Sequence, residues 1–122
     1  MRKDYHQEGK LAQAEEYLLR AVKADQYYER ARNNLAVLYH EEKRYDEAIR
    51  QLIVLKKIDP NNPSYHYDLG IDLADLFREQ GVGDLDDAIK EFEEADRLSP
   101  GYAKSLENIE ALKNVKKAMA AS

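Results

Sequence analysis

The sequence predicts an all-α chain built as a superhelix of stacked helical hairpins, and three observations carry that prediction. Composition is the first. Ala, Leu, Glu, Lys and Arg are abundant, Thr and Trp are absent, and only five glycines and three prolines interrupt 122 residues. The second is spacing: Tyr, Ile and Val, the residues from which strands could be built, recur at helical rather than alternating intervals. The third is an internal repeat. Tyr5 returns as Tyr39, Leu11 as Tyr45, Ala14 as Ala48, Leu18 as Leu52, Ala21 as Leu55 and Gln26 as Pro60, all at an offset of 34. A further copy takes Leu35-Ala36 to Leu69-Gly70 at the same offset. It then takes Tyr45 to Leu85, Ala48 to Ala88, Leu52 to Phe92, Leu55 to Ala95 and Pro60 to Pro100 at an offset of 40, so six residues have been inserted between its halves.

Each element follows from local chemistry. Residues 1–8 form a short helix before Gly9-Lys10, and the next helix carries Leu11, Ala14, Leu18, Leu19 and Val22. With so short a partner, this apolar face is expected to be covered by another chain or to belong to a longer protein. In 29–42 the stripe Ala31, Leu35, Leu38, Tyr39 marks a helix that Lys43-Arg44 interrupts. Asp46 is a candidate cap for the following helix, which carries Ala48, Ile49, Leu52, Ile53 and Leu55 and stops at Asp59-Pro60-Asn61-Asn62. The six inserted residues lengthen the next helix, Tyr67 to Gln80, whose apolar residues are Leu69, Leu73, Leu76 and Phe77. It ends at Gly81-Val82-Gly83, and Asp84 or Asp86 starts its successor. Small residues, Ala36 with Ala48 and Gly70 with Ala88, stand where paired antiparallel helices cross and let the axes approach. In the final helix Leu106, Ile109 and Leu112 are expected to cover the helix before it, while Val115 and Met119 rotate outward.

The residues Leu35-Ala36, Tyr39, Tyr45, Ala48, Leu52, Leu55 and Pro60 make 29–62 resemble a tetratricopeptide repeat. By the same resemblance 63–102 is a second repeat with a lengthened first helix, 1–28 a partial repeat, and 103–119 the single helix that closes such an array. Arg32 and His66 stand where the family has a large aromatic residue, a departure expected to loosen packing onto the preceding repeat.

The resemblance implies function as well. Arrays of this family hold an extended peptide or a helix in the concave groove lined by their first helices. The implied groove residues are Arg30, Asn33, Asn34, Val37, His40, Glu41, Tyr67, Asp68, Ile71, Asp72 and Asp75. Asn34 matches an Asn with which relatives grip a peptide backbone, since a carboxamide both donates and accepts. Members that seize a C-terminal carboxylate use further Lys and Arg residues, but here Ser64 and Asp68 stand in their place, which disfavours that ligand. The carboxylates of Asp68, Asp72, Asp75 and Glu79 recur at i, i+4, i+7 and i+11, forming one acidic stripe. Like charges at this spacing cost roughly 0.2–0.5 kcal/mol per pair, a cost that an interaction would offset. The expected partner is therefore a protein segment in which Lys or Arg alternates with apolar residues. The alternative is an assembly role, with self-association through residues 1–24 or 112–119.

Other classes find little support. With 24 acidic against 19 basic residues the net charge is −5, which disfavours nucleic acid. There is no cysteine, so thiolate catalysis and Cys-ligated zinc drop out. His6 and His40 fall on equivalent positions of adjacent repeats, about 8–10 Å apart by helix spacing, too far for easy shared ligation, so no metal is expected. Phosphate loops, nucleophile elbows and HExxH are missing, and neither an enzymatic activity nor a cofactor is expected. Without an apolar run of membrane length or an apolar leader, the expected setting is the cytoplasm, away from membranes.

Overall fold

The computed structural model describes residues 5–121, and side chains from residue 9 onward. Six helices follow one another: α1 (Tyr5–Ala24), α2 (Glu29–Glu41), α3 (Tyr45–Ile58), α4 (Pro63–Gln80), α5 (Leu85–Leu98) and α6 (Ser105–Ala121). The side chain of His6 lies outside the described residues, so the spacing of His6 and His40 has no structural counterpart.

The expected break at Gly9-Lys10 is absent, and α1 runs through Gly9 without interruption. A lone glycine costs a helix only about 1 kcal/mol, and no proline or capping side chain adds to it here. The face of α1 also differs from the expectation. Leu11, Ala14, Leu18 and Ala21 turn toward α2 and pack on a buried group of Val22, Ala31, Leu35, Leu38, Tyr39 and Ala48. Leu19 points away and is exposed.

Turn chemistry sets the remaining boundaries. Asp25 accepts the backbone N–H of Tyr27 at 3.0 Å, which folds the chain back before α2. Asp46 does not cap α3: Arg44 holds the cap position without a side-chain bond, and Asp46 accepts the N–H of Glu47 from within the first turn. There its charge still favours the helix N-terminus. Asn62 caps α4 by accepting from Ser64 at 3.0 Å, with Pro63 in the first turn. Gly81, at φ 66°, closes α4 in the left-handed conformation, and Asp84 caps α5 by accepting from Asp86. The inserted residues lengthen α4 as expected, to 18 residues against 13 in α2.

The core alternates along the array. Ala36, Tyr45, Ile49, Leu52, Leu55, Tyr65, Leu69 and Leu76 join α2, α3 and α4, while Ala88, Ile89, Phe92 and Ile109 join α5 to α6 with Tyr67 and Ile71 against them. The small residue at the α4–α5 crossing is required: a Cβ on Gly70 would lie 2.9 Å from the ring of Phe92. On α6 the inward residues are Ser105, Ile109 and Leu112, and Leu106 is 60% exposed, contrary to expectation. Ser105 lies four residues before Ile109 and seven before Leu112, so it shares the face both present to α5, whereas Leu106 is six before Leu112, about 120° around the helix, and is carried out. Val115 and Met119 lie on the exposed side, as expected.

Arg32 and His66 do not loosen the stack; they tie it. Arg32 Nε donates to the carbonyl of Gln26 at 2.6 Å and its Nη1 to Gln51 Oε1 at 2.9 Å. His66 repeats the pattern one hairpin later: Nε2 donates to the carbonyl of Pro60, and Nδ1 bonds Glu91 Oε1, both at 2.8 Å. Gln26 and Pro60 are repeat equivalents, as are Gln51 and Glu91. Each first helix is thereby fastened to the turn before it and to its own second helix, and Lys56 of α3 adds a 2.9 Å bond to Glu91. At the other end Arg44 bonds Glu15 at 2.7 and 3.0 Å, holds Glu47, and stacks 4.5 Å from the centre of the Tyr39 ring.

Candidate functional site

Helices α2 and α4 lie side by side, with α3 behind them, and the space between them is a cavity of about 140 Å³ lined by Ala36, Val37, His40, Glu41, Leu52, Asp68, Ile71 and Asp72. The heptad-like spacing of 33–41 and 67–75 produces it. Val37, His40 and Glu41 of α2, and Asp68, Ile71 and Asp72 of α4, recur at three- and four-residue spacing, so each set shares one face of its helix and the two sets meet across the gap. Six of the lining residues belong to the groove set implied by the sequence. Ala36 and Leu52 are core residues on helical pattern, and the structure makes them the floor as well.

The remaining implied groove residues lie elsewhere. Arg30 and Asn34 are exposed and Asn33 half-buried on α2, outside the cavity lining. Tyr67 faces the other side of α4: its ring packs edge-on against Phe92 and Tyr102, 5.4 and 5.6 Å between centres, and its hydroxyl accepts from Asn108 at 3.2 Å. Asp75 stands one turn beyond Asp72 and pairs with Arg78.

Charge and burial are combined unusually here. Asp72 is only 2% exposed, and one of its oxygens shares a hydrogen bond with Nδ1 of His40 across the gap. Burial pushes its carboxyl up to about 6, against the pull of His40; Asp68 and Asp75 add a smaller push in the same direction. Burial likewise raises Asp68, opposed by His40 and by the Ser64 hydroxyl. His40 rests edge-on against Tyr45, 5.7 Å between ring centres, so its ring is held from behind.

Among the described residues, His40, Asp72 and Asp75 bring one donor atom each to within 4.8 Å of one another, the only such group that could hold a metal ion. All three residues are engaged, His40 with Asp72 and Asp75 with Arg78. The site sets apolar walls beside one buried carboxylate, Asp72, and one half-buried carboxylate, Asp68. His66 with Glu91 is the functional-looking pair that the sequence reading missed; the signal was there in the matching pair Arg32 and Gln51, at the repeat offsets.

Known structures share this fold. No curated protein matches the sequence significantly. Among solved structures, the first tetratricopeptide domain of Spaghetti (RPAP3) bound to the HSP90 peptide SRMEEVD superposes with a TM-score of 0.73 at 19% identity, covering 93% of this chain and 85% of that one. The NMR structure of the first such domain of human RPAP3 gives 0.76 at 18% identity, covering 97% and 88%. At these identities the likeness is one of fold. A family model described as tetratricopeptide repeat matches residues 5–69, more than half the sequence, and the chain belongs to the tetratricopeptide repeat family.

Proposed function

We propose that this chain is a protein-interaction module whose α2–α4 groove holds an extended partner segment in which basic and apolar residues alternate. The supporting observation is the cavity itself, where Val37 and Ile71 stand beside the half-buried carboxylate of Asp68 and the buried one of Asp72. The similar domain of Spaghetti is bound to an HSP90 peptide that is acidic and ends in Asp. In this chain an acidic groove would repel such a peptide, so the ligand here carries the opposite charge. No catalytic step is assigned to the site, and among the described residues no helix is long and apolar enough to cross a membrane.

The experiment is a pull-down with the whole chain, followed by titration of the retained protein against wild type and against Asp68→Asn with Asp72→Asn. Affinity should fall in the double variant and its salt dependence should flatten. Unchanged affinity and unchanged salt dependence would reduce the stripe to a solvated surface. The SRMEEVD peptide serves as a negative control, and tight binding of it would overturn the charge reading.

A second reading is self-assembly. It rests on the outer edge of the array, where Tyr17 is 72% and Tyr27 73% exposed. A concentration-independent monomeric mass in solution would dismiss it.

A further inference from the structure

The α2–α4 cavity has a size and a lining that select one kind of side chain. About 140 Å³ is the room a benzene-sized group occupies. Its apolar surface comes from Ala36, Val37, Leu52 and Ile71, enough to surround an aliphatic stem. Its polar surface is almost wholly anionic, with Asp68, Asp72 and Glu41 beside one histidine. The nearby guanidinium of Arg78 is already paired with Asp75, outside the cavity. Asp68 and Asp72 lie one helical turn apart on α4, whereas Glu41 enters from α2, so the carboxylates approach from different directions.

Resting on the groove reading above, we propose that the cavity takes the side chain of a single lysine from the partner segment. The four-carbon stem lies over Leu52 between Val37 and Ile71. The ammonium sits at the carboxylates of Asp68 and Asp72. Lysine suits the lining better than arginine. An ammonium is a compact charge with three donors that separate carboxylates can share, whereas a guanidinium is a planar fork best matched to one carboxylate taken side-on. Burial of both acids in the free chain disfavours their charge, and a partner cation removes that penalty on binding. A metal ion held by His40, Asp72 and Asp75 is a competing occupant. It would have to displace His40 from Asp72 and Arg78 from Asp75, and it would leave Asp68 unused.

The test uses the full chain and a phage-displayed library of random dodecamer peptides. Enriched peptides should share one lysine flanked by apolar residues. A synthetic consensus peptide should lose affinity about tenfold or more when that lysine becomes norleucine, which keeps the stem and removes the charge. Replacement by arginine should weaken it less. Binding should be indifferent to EDTA. Because the decisive change is in the peptide, the result does not depend on how a protein variant folds. Peptides that bind with no shared lysine, or a norleucine peptide that binds equally well, would overturn the lysine pocket and leave the groove reading standing. Binding abolished by EDTA and restored by zinc would replace the lysine with a metal. A library that yields no binding peptide would overturn both readings.

Discussion

Replacing Gly70 by alanine sets two effects of known size against each other. Glycine inside a helix costs about 1 kcal/mol relative to alanine, so on propensity alone the substitution stabilises. Packing opposes it. The new methyl would stand 2.9, 2.9 and 3.0 Å from three atoms of the Phe92 ring, where carbon atoms ordinarily rest about 3.5–4.0 Å apart. The ring must therefore retreat by well over half an ångström, yet Phe92 is 1% exposed and wedged against Tyr67 at 5.4 Å. Overpacking of this kind costs about 1–3 kcal/mol. The net expectation is a loss of about 1 kcal/mol, or roughly 4 °C in Tm for a chain of this length, read by urea and thermal unfolding followed by circular dichroism. Gly9→Ala is the internal control: nothing lies within 4 Å of its Cβ position, so it should stabilise by about 0.5–1 kcal/mol. The middle hairpin offers the rescue, because its equivalent positions hold Ala36 and Leu52 in place of Gly70 and Phe92. Phe92→Leu should make Gly70→Ala tolerable, with a coupling of about 1 kcal/mol in a double-mutant cycle. A Gly70→Ala chain as stable as Gly9→Ala would refute the close-approach argument.

Other expectations follow from the same structure. His66→Ala should cost about 1–3 kcal/mol, because it takes their partner from the Pro60 carbonyl and from Glu91 Oε1, leaving Glu91 only its bond from Lys56, and amide exchange in 59–62 should quicken; unchanged exchange there would remove the fastening role. Truncation after Asn114 should lower Tm only slightly, since Val115 and Met119 lie on the exposed side and the Lys116–Asp86 pair is half in solvent; a large drop would show that the tail helps to hold the array. Asp72, raised from its ordinary 3.8 to about 6, binds its proton more tightly folded than unfolded. Its contribution to stability is therefore fully present below 3.8 and is lost as pH rises through about 6, and a basic peptide should bind more tightly above that point. Asp72→Asn should flatten both profiles, with His40 on α2, Tyr45 on α3 and Asp68 and Asp75 on α4 left as the titratable neighbours.

The hairpin plan was legible in the sequence because each of its signals is local. Helical spacing in 29–41 and 45–58, the stops at Pro60 and Gly81, and the cap at Asp84 are each decided within a few residues. The recurrence of those signals at a constant offset then identified the stacking partner of each helix and the family. The family resemblance, applied to positions off the apolar stripe, points to Val37, His40, Glu41, Asp68, Ile71 and Asp72 among the groove residues, and these six line the α2–α4 cavity.

What only the tertiary structure decided depends on the rotation and approach of packed helices, quantities that spacing constrains to about one residue. A shift of one position brings Ser105 inward and turns Leu106 out, and it swings Tyr67 onto Phe92 and Tyr102 instead of into the groove. Long polar side chains are equally undetermined by local pattern. Arg32 and His66 break an aromatic signature, yet each finds a carbonyl six residues earlier and a partner on the following helix, the latter a contact that exists only once the two helices of the hairpin have packed together. The same holds for Asp72. In the sequence it is one carboxylate among 24 acidic residues; the packing of the array takes it out of water and sets it against His40 of α2.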